Sequence, residues 1–224
     1  MLTFLEEIVL LALGDKSGEF VTLPPMALDK ALAGAALLEL AFQNRIDTDL
    51  TNLIMVSDEP TGDLMLNSIL SQINAAPGIK DAKYWVGVIS ADGEKLREAT
   101  LAKLVSREIL EQNGRKFFRV PEKRKPAILL QEELSVRERI RAVIVDGEVP
   151  TPRDVVVISL AGSCQLLLTV FSDAELLKYS SQVAEISKME FIGQAVSASI
   201  AEVQEAVMRA VLYSLPFLSL ATQV

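Results

Sequence analysis

The residues with the most chemistry in them lie in one short segment, NGRKFFRVPEKRK, Asn113 to Lys125. Two adjacent phenylalanines, Phe117 and Phe118, stand among six basic residues: Arg115, Lys116, Arg119, Lys123, Arg124 and Lys125. Glu122 alone opposes them, so this stretch carries a local +5 in a chain whose net charge is −8. The remainder is near −13, acidic enough to repel a phosphate backbone everywhere but here. Aromatic rings among cations suit the interfacial layer of an anionic membrane, where each basic side chain contributes about 1 kcal/mol. They also suit a contact between subunits, or packing on the domain. Adjacent residues of a two-stranded ribbon face opposite sides, so one ring is expected to be covered and the other exposed.

Little else in the chain offers reaction chemistry. Histidine is absent, and with it the usual general base, zinc ligand and physiological pH switch. No glycine-rich phosphate loop and no GxSxG motif occurs. The single cysteine, Cys164 in AGSCQ, has no partner for a disulfide and no histidine to activate it. It reads as a small core residue. Asp47 with Asp49, and Asp58, Glu59 and Asp63, are carboxylate clusters, but the second lacks calcium-loop spacing and contains Pro60 and Gly62. A turn and a helix cap are expected there instead. No catalytic residue, metal or cofactor is expected.

The elements that must carry the basic segment are mostly helical. Thr3 with Glu6 forms a capping box opening a helix to about Leu13. Glu6 and Glu7 stand where a signal peptide would place lysines. Leu28–Phe42 is apolar on most faces, and Ala33, Gly34, Ala35 and Ala36 permit close approach of neighbours, the pattern of a buried helix. A turn over Ser57–Asp63 precedes a helix over Leu64–Ala75, and another covers Lys95–Leu110. Asn113-Gly114 between short apolar pieces predicts a hairpin tip. Ser135 with Glu138 predicts the next helix start, with a stripe at Val136, Ile140, Val143 and Ile144, and Gly147 as its stop. Thr151, Pro152 and Asp154 open a helix through the 17-residue apolar run Val155–Phe171, too short and too polar inside to span a bilayer. Ser172 with Glu175 opens another, and a last helix is expected over Ile192–Leu215. One all-α domain over residues 1–224 with a short protruding β-hairpin is the expected architecture.

Several stretches resemble the Golgi phosphoprotein 3 family in order and spacing: LTFLEEIVLLALGDKSG, ALAGAALLELAFQNRI, SDEPTGDLMLNSIL, YWVGVIS and RERIRAVIVDGEVPTPRDVVVISL. The resemblance implies a mainly helical domain, a helical core ringed by amphipathic helices, with one protruding hairpin. It implies a non-enzymatic adaptor; eukaryotic members bind phosphatidylinositol 4-phosphate on Golgi membranes and hold resident glycosyltransferases. The family's lipid pocket uses a tryptophan and three arginines. Carried onto this chain, the tryptophan position falls on Pro24 and the first arginine on Ala33. The later pair fall on Glu94 or Lys95, and on Arg97. Lys30, three residues before Ala33 on the same helix face, either supplies the missing charge or is simply solvated. The chain reads as a divergent member whose hairpin is kept better than its headgroup pocket.

Three functions follow as expectations. The first is a peripheral adaptor contacting anionic lipid, a phosphoinositide among the candidates, from the cytoplasmic side of a membrane (the Golgi in a eukaryote), with protein clients. The second is an oligomeric cytosolic scaffold joined through the hairpin. The third is a winged-helix nucleic-acid reader, helix then basic wing. Against the third, Glu94, Glu98 and Glu108 interrupt any basic stripe on the helix, so no nucleic acid is expected as a partner.

Overall fold

A computed structural model describes residues 1–14, 16–49, 52–119 and 127–190, together with 192–195, 198, 201 and 205. The elements run α1 (Phe4–Ala12), α2 (Ala27–Phe42), β1 (Ile46–Thr48), β2 (Leu53–Met55), α3 (Leu64–Ala75), α4 (Ala82–Ser90), α5 (Gly93–Ser106), β3 (Leu110–Asn113), β4 (Lys116–Arg119), α6 (Ala127–Ile144), α7 (Pro152–Ser163), a 3₁₀ turn (Leu166–Thr169), α8 (Asp173–Lys178) and α9 (Ser180–Ser187). The fold is mainly α-helical, as the sequence patterns indicate.

The apolar helix α2 is the centre. Ala31, Leu32, Ala33, Ala35, Ala36, Leu37 and Leu40 have no solvent exposure. Helices α1, α4, α5 and α7 pack around it, and its run of small residues lets them approach. Such an all-round apolar helix is stable only when enclosed. Helix α1 is likewise buried along its whole length, and that includes two carboxylates, Glu6 and Glu7.

A buried charge costs several kcal/mol unless it is paired and hydrogen-bonded. Both are. Glu6 accepts two bonds from Arg107 Nη1, at 2.9 and 2.7 Å, and one from the Thr3 N–H as half of the capping box. Glu7 accepts from Arg139 Nη1 and Nη2 at 3.2 Å and from Arg153 Nε at 3.2 Å. Arg139 also donates to Asp154 at 2.8 Å, and the Arg153 guanidinium stacks 4.5 Å from the Phe4 ring centre while donating to the Leu2 carbonyl. These arginines come from the C-terminal end of α5, from α6 and from α7, so α1 is tied to three later elements at once. Burial pushes the Glu7 carboxyl above its usual range despite both arginines. For Asp154, burial pushes upward too, but the Thr151 hydroxyl and Arg139 hold it below.

Several elements differ from the sequence patterns. The helix expected over Lys95–Leu110 runs Gly93–Ser106, because Glu108 takes a left-handed conformation (φ 58°) and Leu110 opens β3. Helix α6 begins at Ala127, so Ser135 lies inside it rather than capping it; nothing in AILLQEEL after Pro126 breaks a helix. The buried helix α7 stops at Ser163, not Phe171, because Gln165 takes a left-handed conformation (φ 65°) and starts the 3₁₀ turn. Cys164 is therefore at the C-cap, fully buried, rather than within the helix. A second hairpin, β1–β2 with Ile46 opposite Met55, was not foreseen; its three-residue strands are too short to show alternation. The expected last helix falls largely outside the described residues, though 192–195 are helical. Among the described residues no helix is long and apolar enough to cross a membrane.

Replacing Arg153 with Met keeps its apolar stem but leaves Glu7 with Arg139 alone. The expected loss is about 2 kcal/mol in urea unfolding, below the ~3–5 kcal/mol of a wholly stranded buried charge. Because the folded state raises Glu7, lowering the pH from neutral towards 4.5 protonates it in the folded protein first. The gap between variant and parent should therefore narrow over that interval.

Candidate functional site

The basic segment is a hairpin, with its turn one residue on from the expected Asn113-Gly114, since Asn113 is still paired in the strand. Strands β3 and β4 pair Leu110 with Arg119, Glu111 with Phe118, Gln112 with Phe117 and Asn113 with Lys116. The two-residue turn is Gly114-Arg115, and Gly114 has φ 62°, the positive value a glycine adopts at the first turn position. The Gln112 side-chain amide donates to the Gly114 carbonyl at 2.9 Å and stiffens the tip. Residues Glu111 to Lys116 are exposed. At the base, Ile109 and Leu110 are buried, after a left-handed turn at Glu108.

The phenylalanines face opposite sides, as strand alternation requires, but neither ring is fully exposed. Phe117 packs against the core and lines a cleft with Leu101 and Val105 of α5. Phe118 lies on Gly18, in the loop between α1 and α2. A β-carbon at Gly18 would sit 2.7 Å from two atoms of the Phe118 ring, and Gly18 has φ +66°. The Phe117 N–H donates to the Gly18 carbonyl at 2.8 Å. The hairpin is thus clamped at its base, with backbone and ring both on one glycine. Gly18 is the functional residue that the sequence patterns missed. Its only signal was a place among turn residues in DKSGEF, and a ring contact one hundred residues away leaves no local trace.

At the tip, Arg115 and Lys116 are exposed, and Lys116 Nζ lies 3.2 Å from Glu19. The side chain of Arg119, and Lys123, Arg124 and Lys125, lie outside the described residues. The outer face of α5 bears Glu94, Lys95 and Glu98, with Lys103 paired to Asp63. A nucleic-acid reader would need a basic stripe on that face.

The residues corresponding to the family's headgroup pocket are buried or already face an acid. Ala33 is wholly buried and has nothing to offer. Lys30 is buried too, so it is not the solvated lysine expected as one alternative. Lys95 is exposed and pairs with Asp92 at 2.5 Å. Arg97 Nη1 lies 3.6 Å from Asp29 Oδ1, and its guanidinium sits 5.5 Å from the Phe20 ring centre. Asp29 in turn presses on Gly93, where a β-carbon would collide with its side chain. Burial pushes the Asp29 carboxyl upward, Arg97 opposes, and Glu94 adds to the rise. A phosphate monoester carries about −1.5 to −2 charge and needs several converging donors. Here it would meet one arginine already facing an acid.

The other suspected sites are structural. Asp63 caps α3 through the Met65 and Leu66 N–H groups. Asp49 accepts from Asn52, and Glu59 approaches Arg45 at 3.7 Å. Among the described residues no group of acids and cysteine could hold a metal. Burial pushes the Cys164 thiol up to about 12, far from a nucleophile's range.

The family model described as Golgi phosphoprotein 3 (GPP34) matches residues 4–203, and the protein belongs to that family. It is a Golgi phosphoprotein 3-like adaptor, from a family of non-enzymatic adaptors.

Gly18→Ala should loosen the clamp. The left-handed backbone and the ring contact together set an expected cost of about 2 kcal/mol. In hydrogen exchange the Phe117 amide should lose at least tenfold protection, while amides in α2 keep theirs.

Proposed function

We propose that this adaptor meets anionic membranes through the charge of its hairpin, without a pocket that selects one headgroup. The observation that carries the reading is the exposed tip, with Arg115 and Lys116 outermost while Phe117 and Phe118 are half-buried at the clamp. The rings then hold the finger in place, and the cations do the contacting. Peripheral association and a single domain over the whole chain belong to the same reading.

The expected affinity is low. Five net charges at about 1 kcal/mol each correspond to a dissociation constant of roughly a few hundred micromolar. Such a contact is reversible and salt-sensitive, and becomes firm only with a second attachment, such as a protein client bound to the same membrane. A phosphoinositide should bring no advantage beyond its charge, because Asp29 and Glu94 flank Arg97.

Co-sedimentation with phosphatidylserine vesicles tests this. Arg115→Glu with Lys116→Glu should weaken binding at least tenfold without lowering thermal stability, and raised salt should do the same. Vesicles with phosphatidylinositol 4-phosphate at matched total charge should bind equally, and Asp29→Asn should shift preference towards them. Full binding by the charge-reversed variant would overturn the proposal. Substituting the phenylalanines is a poorer test, since it also releases the clamp.

A further inference from the structure

A cleft of about 590 Å³ lies between the C-terminal end of α7, the 3₁₀ turn, α8 and α9. It is remote in sequence from the hairpin and takes no part in the adaptor contact above. Leu167, Leu176, Val183 and Ala184 give it apolar surface, and Gly162 lines it as well. Its size falls within the ~300–1,000 Å³ of small-molecule sites, which are apolar with a few placed polar groups.

The placed polar group is Ser159. Its residue is 1 % exposed, it lines the cleft, and its hydroxyl has no hydrogen-bond partner among the described residues. This is unusual within the molecule. A buried helical hydroxyl normally bonds back to a carbonyl of the preceding turn, and Thr100 does so to Leu96 at 2.7 Å, Ser163 to Ser159 at 2.8 Å. Ser163 also donates to the Gly193 carbonyl at 3.1 Å, holding that strip of chain against α7. At Gly193 a β-carbon would strike the Ser159 hydroxyl, so backbone covers it from that side. An unpaired buried hydroxyl is costly to keep; it lies closed off against Gly193, and turned into the cleft it would meet a ligand oxygen that removes the cost.

We propose that this cleft binds a single-chain amphiphile, an apolar molecule bearing one terminal hydroxyl or carboxyl group, with the head oxygen at Ser159 and the chain along Leu167, Leu176 and Val183. Leu167, Leu176 and Val183 offer a chain an apolar strip beside Gln165, Ser180 and Gln194, and the single orphan hydroxyl matches a single polar head. Lys188 at the rim pairs with Glu185 at 2.9 Å and leaves the head to Ser159.

The test is calorimetric titration of the full chain with dodecanoic acid and with 1-dodecanol, each below its aggregation concentration. Saturable binding of one equivalent is expected for at least one of them. Binding of the acid alone assigns a carboxyl head, and binding of both assigns a hydroxyl as sufficient. Ala184→Trp, at an exposed position of α9, should fill the cleft and abolish binding. Ser159→Ala should weaken it about tenfold while raising the melting temperature of the free protein, since the unpaired hydroxyl is gone. No saturable binding of either compound, or both variants binding as the parent does, overturns the proposal.

Discussion

The fold depends on the burial of Glu6 and Glu7 in the first helix. Two adjacent carboxylates taken out of water, in a helix with no exposed face, are tolerable only if cations reach them. Helix α1 contains none. The partners are Arg107, Arg139 and Arg153, separated from the acids by 101, 132 and 146 residues. Hydrophobic burial alone is non-directional and would accept α1 in several rotations. Charge-assisted hydrogen bonds from three separately placed arginines accept one. The acid pair therefore fixes the register of α1 against α5, α6 and α7, while α2 supplies the apolar bulk between them.

This constraint reaches the hairpin. Arg107 is the C-cap of α5, next to Glu108 and its left-handed turn, from which β3 starts. The Glu6–Arg107 bonds thus hold the root of one strand. The loop after α1 holds the other, through the Gly18 carbonyl on Phe117 and the Gly18 backbone under Phe118. Both holds lead back to α1. A two-stranded ribbon alone is marginally stable in water, so the exposed tip keeps its shape because its base is fastened twice to one buried helix.

Local chemistry was the legible part of the sequence. The capping boxes at Thr3–Glu6, Thr151–Asp154 and Ser172–Glu175 form as their spacing says, because each is complete within four residues. The stripe Val136, Ile140, Val143, Ile144 is buried and the Gly114 turn is in place. Ser135–Glu138 has the same spacing and is no cap, because upstream residues already favour helix and a motif cannot report what precedes it. The arginine network was illegible for another reason. Glu6 and Glu7 look like solvated charges on paper, and only tertiary contact shows they are buried. The site divides in the same way: its charge and tip could be read, whereas the clamp and the neutralisation of Arg97 by Asp29 arise from helices meeting end to end.

The charge distribution gives the hairpin its direction. With the acidic remainder near −13, an anionic surface would repel the body and attract the basic segment. Repulsion and attraction act over a Debye length, about 8 Å at physiological ionic strength. The three exposed residues of β3, Glu111 to Asn113, carry the tip about 10 Å from Leu110 at ~3.3 Å per residue. The tip can therefore sit within a Debye length of an anionic surface while most of the acidic body stays beyond it. Were the rings free and the ribbon loose, that separation would collapse, and Arg115 too would fold back towards acids, as Lys116 already reaches Glu19. Packing Phe117 on the core and Phe118 on Gly18 holds the exposed charges of the tip away from most of the acidic body.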